Sequence, residues 1–303
     1  MKQFHKATKA QSFLRMALVG PSGSGKTYSS LRIAQGLGSK IALIDSERRS
    51  ASKYADDFNF DAVELDTSFS PHEYMEAIQA AVEGGYEVLI IDSLSHAWSD
   101  KGGILEMKDA VASQHKSEND FTAWRHVTPK HNELVDSILR APLHVIVTMR
   151  AKTEYVTEKN EQTGKTTIRK VGLKPVQRDG LEYEFDVVGD LDQDNTLIIN
   201  KTRCKALNQA VIHEPGETNV AKVLKTWLTE GAPAPISEAQ GKELWQAARA
   251  KGLSVLGLVH LINNTLQTVY TNPRELNVQE YPKAVAAVDA YVAPTPNEGE
   301  AAS

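Results

Sequence analysis

Cysteine is nearly absent from this 303-residue chain, where Cys204 stands alone. One thiol excludes an internal disulfide, and no Cys/His cluster has the spacing of a structural zinc site, which points to a reducing compartment and a cytoplasmic setting. Long apolar runs are absent as well. The N-terminal MKQFHKATKAQSF is basic, but no apolar stretch of signal-peptide length follows it. Nothing approaches the roughly 20 apolar residues of a membrane span. An excess of positive charge is also missing. The formal net charge is −5, which argues against a protein that coats itself in nucleic acid through bulk charge and leaves room for a local basic groove. No internal repeat is visible.

Present instead is a hydrophobic content of 41%, enough for one large domain with a full core and something smaller. Short apolar runs (FLRMALVG, KIALIDS, DAVELD, YEVLIIDS, LHVIVTMR) alternate with stretches of helical spacing such as HEYMEAIQAAVEGG. That rhythm predicts an α/β fold, a mostly parallel sheet with helices on both faces. After Arg150 the pattern changes to TEYVTEKNEQTGKTTIRKVGL, two alternating runs around a polar turn at Gly164, followed by EYEFDVVGDLD and NTLIINKTR. These predict β-hairpins appended to the sheet. The expected division is a large domain over 1–230 and a Pro/Ala linker over 231–235. A small helical domain over 236–292 follows, opened by a Ser237–Gln240 capping box, and then a disordered tail over 293–303.

The strongest chemical signal is Gly20, Pro21, Ser22, Gly23, Ser24, Gly25, Lys26 and Thr27, which matches G-x-x-x-x-G-K-[ST] at every fixed position. An apolar strand precedes it and a helical stretch follows, whose first residue, Tyr28, is counted with the loop among the nucleotide contacts. Glycines let successive backbone N–H groups and a helix N-terminus point at phosphate oxygens. Lys26 is placed to hold the β and γ phosphates of ATP, and the Thr27 hydroxyl to ligate Mg²⁺. Asp92 ends the apolar run VLIID and is the expected carboxylate on the metal side.

Three segments together, GPSGSGKT, IALIDSE with RRSASKYAD, and YEVLIIDSLSHAW, resemble the core of the RecA-like P-loop ATPases. The resemblance implies that Glu47, at the end of the second strand, activates the attacking water, while Asp45 supports either the turn or the metal shell. LHVIVTMRAK resembles the strand that in this family ends in a polar γ-phosphate sensor. Here Thr148 and Arg150 stand in place of the usual Asn or Gln, and either can take that role. TLIINKTRCKAL is similar to the strand that carries a Lys-x-Arg finger pair, which puts Lys201 and Arg203 in the nucleotide of a neighbouring subunit. Such a finger requires self-association into a ring or a filament.

Residues 150–178 hold eight basic side chains against three acidic ones, a local balance of +5 in a chain of −5. The segment lies where RecA-like proteins carry a DNA-binding loop. Lys152, Tyr155, Lys159, Lys165, Arg169, Lys170 and Lys174 are therefore the expected contacts to single-stranded DNA, cations to phosphates and the tyrosine to a base. Residues 93–140, with Gly102-Gly103 and the cluster Trp124, Arg125, His126 and Lys130, form a second expected loop region. In it Trp98 and Trp124 suit a core better than a base-stacking platform. His126 and His131, five apart, are off one helical face and do not suggest a metal site. From Pro233 on, five basic residues face seven acidic ones. That end resembles the small helical modules that trail phage recombination proteins, which implies a docking role toward a partner such as a single-strand-binding protein.

Residues 1 to about 230 together resemble the phage-encoded RecA-like ATPases of the Sak-type single-strand annealing and recombinase group. What this implies is a Mg²⁺/ATP-dependent protein of the host-cell cytoplasm that assembles on single-stranded DNA. A nucleotide-gated adaptor of the helicase-loader kind and a P-loop kinase are the alternatives.

Overall fold

The computed structural model describes residues 12–114, 120–159, 166–230, 233, 236–266, 268, 270 and 272–292. They fall into two compact units, Ser12–Leu228 and the residues from Thr229 onward. Most of the expected linker, the expected tail and Lys165 lie outside the described residues.

The first unit runs β1 (Arg15–Gly20), α1 (Lys26–Leu37), β2 (Ile41–Asp45), β3 (Asp61–Glu64), α2 (Pro71–Glu83) and β4 (Val88–Asp92). Three helices follow, α3 (His96–Ser99), α4 (Ile104–Gln114) and α5 (Asp120–Arg140). The chain then forms β5 (His144–Lys159), β6 (Thr166–Pro175), β7 (Val187–Leu191), β8 (Thr196–Thr202), β9 (Val211–His213) and α6 (Lys222–Thr229). The sheet is ordered β3-β2-β4-β5-β1-β7-β8-β9, with β6 paired to β5. From β3 to β7 every pairing is parallel; β6, β8 and β9 join antiparallel. The fold is thus mixed α/β with a mostly parallel sheet.

Alternation along each central strand feeds two cores. Met16, Leu18, Leu43, Val88, Ile90 and Ile146 face one side, where Leu31, Ile33 and Leu37 of α1 and Leu224 and Leu228 of α6 cover them. Ala17, Val19, Ile44, Leu89, Ile91, Val145 and Val147 face the other, under Tyr74 and Ile78 of α2 and Leu134 and Ile138 of α5. Because both faces are covered, these strands read as unbroken apolar runs. Each fully buried Leu or Ile contributes about 1.5–3 kcal/mol. α2 starts where the sequence allows it: Pro71 occupies the first turn, and Ser70 Oγ accepts the Glu73 N–H at 3.4 Å.

Two expectations need correction. EYEFDVVGDLD and NTLIINKTR do pair as a β7–β8 hairpin, but its first strand is not appended, because β7 lies beside β1 in the parallel block, with Val187, Val188 and Leu191 buried. Only β8 and β9 extend beyond it. Residues 93–140 are largely helical rather than a loop. On α5, Ala123, Val127, His131, Leu134 and Ile138 are all buried, a 4-4-3-4 spacing that puts one face against the sheet. His126 is exposed, so the two histidines of this helix do face different ways. The two runs of TEYV…KVGL pair as expected, with Ala151–Lys159 of β5 antiparallel to β6, and the expected turn at Gly164 lies outside the described residues. Among the described residues no helix is long and apolar enough to cross a membrane.

In the second unit α7 (Glu238–Ala250), α8 (Val255–Leu266) and α9 (Tyr281–Ala290) bury Leu244, Ala248, Leu258, Ile262, Ala284 and Val288 together. Ser237 and Gln240 form the capping box at the start of α7, with bonds of 3.2 and 2.9 Å.

At the N-terminal end of β1, the Leu14 N–H donates to His144 Nδ1 at 3.0 Å. Burial pushes this imidazole down to about 4; Arg15 and Lys225 push the same way and Glu87 opposes them. Between pH 6.5 and 4 the unfolded chain therefore binds the proton and the folded one does not. Stability is full above the unfolded value and is lost as pH falls, by up to about 1.4 kcal/mol per pH unit from this group. His144→Asn, which keeps an acceptor for Leu14, is expected to flatten the fall of the unfolding midpoint between pH 6.5 and 4 and leave it unchanged above pH 7. Denaturant titration across that range checks it, and an unaltered slope would contradict it.

Candidate functional site

β1 ends at Gly20, and the following loop curls through Gly23 and Gly25, whose φ angles are 82° and 79°. A Cβ at Gly25 would lie 2.5 Å from Asn195 Oδ1, and one at Gly20 the same distance from the Leu191 carbonyl oxygen. Only glycine lets the loop pack this closely on the β7–β8 turn. α1 then begins at Lys26 with no acidic residue in its first turn. Its unpaired N–H groups and positive dipole end are left to an outside anion. Lys26 Nζ arches back to the Pro21 carbonyl at 2.8 Å. Burial holds its ammonium below the usual range, Asp92 and Glu47 counter that, and Arg150 adds to it.

Asp92 is 1% exposed. Its Oδ2 accepts from Thr27 Oγ1 at 2.5 Å, and its Oδ1 accepts from Thr148 Oγ1. Burial raises its pKa, while the two hydroxyl donors pull it back down. Thr148, expected as a possible phosphate sensor, is fully buried and spends its hydroxyl hydrogen on Asp92. Its place is behind the carboxylate. A hydroxyl and a carboxylate are hard oxygen donors that suit Mg²⁺, which usually takes few protein ligands beside phosphates and water. Among the described residues no group of three or more His, Cys, Asp or Glu could form a complete metal cage.

Asp45 has two carboxylate tasks, both in the turn: Oδ1 accepts the Glu47 N–H at 2.7 Å and Oδ2 the Ala51 N–H at 3.0 Å. Between them Arg48 and Arg49 take left-handed φ angles of 55° and 62°. Such conformations cost non-glycine residues about 1–3 kcal/mol each and persist only where neighbours fix them. Ser46 Oγ accepts the Ser93 N–H at 2.8 Å and meets His96 Nδ1 at 2.6 Å, tying the end of β2 to that of β4. Glu47 thus leaves a rigid strand end. Its Oε1 receives Arg150 Nε at 2.9 Å, and Ser95 Oγ accepts the Arg150 backbone N–H at 2.9 Å.

The remaining expected residues are dispersed. Tyr28 is 40% exposed on the first turn of α1, its ring 5.5 Å from Tyr54 and 5.2 Å from Phe58. Lys201 and Arg203 lie at the far end of the sheet from Gly20, because β8 runs antiparallel to β7 and Val187 pairs with Thr202. Lys201 Nζ donates to the carbonyls of Glu182, Tyr183 and Phe185. All three ammonium hydrogens are thereby engaged within the chain. Arg203 pairs with Asp186 at 2.9 Å and its side chain stays 58% exposed. In the hairpin, backbone register sets Lys152 opposite Lys174 and Tyr155 opposite Lys170, with Arg169 opposite Val156 and Lys159 opposite Thr166. Lys174 also reaches Asp179 at 2.8 Å. Trp98 and Trp124 stack on each other at 5.7 Å.

Sequence reasoning missed Asn195 and Ser95. Asn195 takes a left-handed φ of 56° in the Asp-Gln-Asp-Asn turn between β7 and β8, a conformation that asparagine tolerates. That turn composition was the available signal. Nothing local marks Ser95.

A family model described as AAA domain matches residues 12–223. The matched span contains the phosphate loop, Glu47, Asp92, Thr148, Arg150 and Arg203. No curated protein matches the chain.

Thr148→Val keeps the side-chain shape and strips one donor from a buried carboxylate. The Mg²⁺ concentration needed for half-maximal nucleotide binding is expected to rise about 10- to 100-fold, the usual cost of losing a partner that orients a metal ligand. A Mg²⁺ titration of nucleotide binding measures this; an unmoved midpoint would detach Thr148 from the metal side of the site.

Proposed function

The chain belongs to this AAA domain family of P-loop ATPases, and from that premise we propose that it hydrolyses ATP to drive annealing or strand exchange on single-stranded DNA, in the manner of phage recombination ATPases. The observation that carries the hydrolytic part is the 2.5 Å contact of Thr27 with Asp92, one strand away from Glu47.

The loop N–H groups and the N-terminus of α1 take up phosphate charge, and Lys26 swings from Pro21 to the β and γ oxygens. Thr27 and Asp92 would hold Mg²⁺, which when bound supplies positive charge to the phosphate oxygens. Glu47 accepts a proton from water as the water oxygen bonds to the γ-phosphorus. The bond from that phosphorus to the bridging oxygen breaks, and ADP and phosphate leave. Rigid placement of the carboxylate is the protein's main contribution.

Support for a polynucleotide partner is the +5 balance in the sequence of residues 150–178, a segment that includes the paired strands β5 and β6. Cations spaced along a ribbon suit a phosphate backbone. For a ring or filament, Arg203 is the better candidate finger, because it gives up one exposed ion pair where Lys201 gives up three carbonyls. A single-strand-binding protein on the α7–α9 unit rests on resemblance alone. A nucleotide-gated adaptor is a second reading, favoured by one observation: Arg150 engages the carboxylate that would activate water, at 2.9 Å.

Glu47→Gln is expected to retain ATP binding while hydrolysis falls at least ~10²-fold, the scale of a lost general base. Turnover that survives the change would return Glu47 to a solvated strand end. Wild-type turnover is expected to rise with single-stranded DNA, and binding to weaken steeply with salt. No DNA binding at low salt with nucleotide present would leave the ATPase without the recombination role. In that case loss of partner binding with Lys26→Ala and its retention with Glu47→Gln would favour the adaptor.

A further inference from the structure

Behind the strand ends that carry Asp92 and Glu47 lies a buried polar knot. His96, the first residue of α3, is 4% exposed and Ser46 2%, while Ser93 and Tyr74 are fully buried. Ser46 stands between Asp45 and Glu47 just past the end of β2, and its backbone N–H donates to the Asp92 carbonyl at 2.8 Å. Polar groups this deep are costly unless each finds a partner. That demand decides how the hydrogens run.

The Ser46 hydroxyl has one hydrogen to give. Its oxygen accepts the Ser93 N–H at 2.8 Å, and the hydrogen can go to His96 Nδ1 at 2.6 Å or to the Ser93 carbonyl at 3.1 Å. The carbonyl already receives the Tyr74 hydroxyl at 3.0 Å, so the closer imidazole takes the hydrogen. Nδ1 must then carry a lone pair, which puts the ring proton on Nε2. Burial holds His96 below the usual histidine range, and Arg150 of β5 adds to that. Asp100 after α3, and Glu47 and Asp45 at the end of β2, oppose them. Phe69 packs its ring 5.1 Å from the imidazole, so the acceptor is held in place by contact as well as by the hydrogen bond.

We infer that His96 is a positioning residue for hydrolysis: by accepting the Ser46 hydroxyl hydrogen it locks the end of β2 to the end of β4, and so fixes Glu47 relative to the metal-side Asp92. This rests on the hydrolytic reading of the site. Asp45 and Asp92 are the last paired residues of the two strands, and beyond them the knot around Ser46 carries the joint on to Glu47. A misplacement of about 1 Å at such a point costs up to about 10²-fold in rate. Phosphate binding does not need the knot, because the loop and the N-terminus of α1 supply it.

The test separates turnover from nucleotide binding in the full chain with Mg²⁺. His96→Leu, of similar bulk and without an acceptor, is expected to lower kcat about 10-fold and to leave the affinity for a non-hydrolysable ATP analogue within about twofold. His96→Asn, whose amide oxygen can stand where Nδ1 does, is expected to recover kcat to within about threefold of wild type. His96→Gln, whose amide reaches past that point, does not recover it. Ser46→Ala lowers kcat by a similar factor, and adding His96→Leu to it costs little more, since the bond is already gone. An Asn variant as slow as the Leu variant, losses that multiply in the double variant, or a change in the unfolding midpoint or nucleotide affinity with kcat unmoved would overturn the positioning role while wild-type hydrolysis stands. A wild type that binds nucleotide without turning it over would remove the hydrolytic reading, and the positioning role with it.

Discussion

A carboxylate 1% exposed to water is the point on which this site depends. Buried charge without partners is costly enough that the group would protonate instead, and Asp92 is drawn that way by its surroundings. Two hydroxyls oppose the tendency, one from Thr27 in the first turn of α1 and one from Thr148 of β5. Both can reach it only because β5 lies between β4 and β1, and because the loop after β1 turns tightly enough to bring Thr27 over that intervening strand. Strand order, the glycines of the loop and the charge on Asp92 thus depend on one another. Disturb any one of them and the same oxygen atoms lose their partners.

Much of the frame was legible in the amino-acid order, for a physical reason. Strands covered on both faces must be apolar throughout, so β1, β2, β4 and the first half of β5 appear as unbroken runs. The phosphate loop is recognisable because its glycines answer a local backbone demand. What escaped depends on distance along the chain. The bonds that give Thr148 and Thr27 their roles span 56 and 65 residues and leave no trace in local spacing. Lys201 looked like a free cation because the three carbonyls that absorb it come from a turn 16 to 19 residues earlier. The helices α4 and α5 were hidden by tryptophans, histidines and charges that suggested a binding loop, although the buried period of α5 is regular. β7 was misplaced because five residues bounded by acids do not reveal which neighbour they pair with.

At the end of the sheet remote from the phosphate loop, cations serve as helix and turn terminators. Arg15 is 7% exposed and gives its guanidinium to the carbonyls of Leu14, Leu139, Ala141 and Leu143, closing the end of α5. Its pKa falls to about 10 through burial, with Asp186 as the opposing charge. Asp186 also meets Arg203, and Lys201 closes the adjacent turn. The unpaired carbonyls at this end are absorbed by side chains. At the opposite end the unpaired N–H groups of α1 are left open, which is why chemistry belongs there.

β5 runs for 16 residues, from His144 in the parallel block to Lys159 in the pairing with β6, without a loop. Thr148 and Arg150 sit on it before Lys152, and the register shift in its pairing with β6 comes later, between Glu154 and Tyr155. A hydrogen-bonded strand has no soft joint to absorb a displacement. Whatever leans on the base of the hairpin therefore tilts the same stiff rod that carries the partners of Asp92 and Glu47, and force applied there arrives at the phosphate end as geometry.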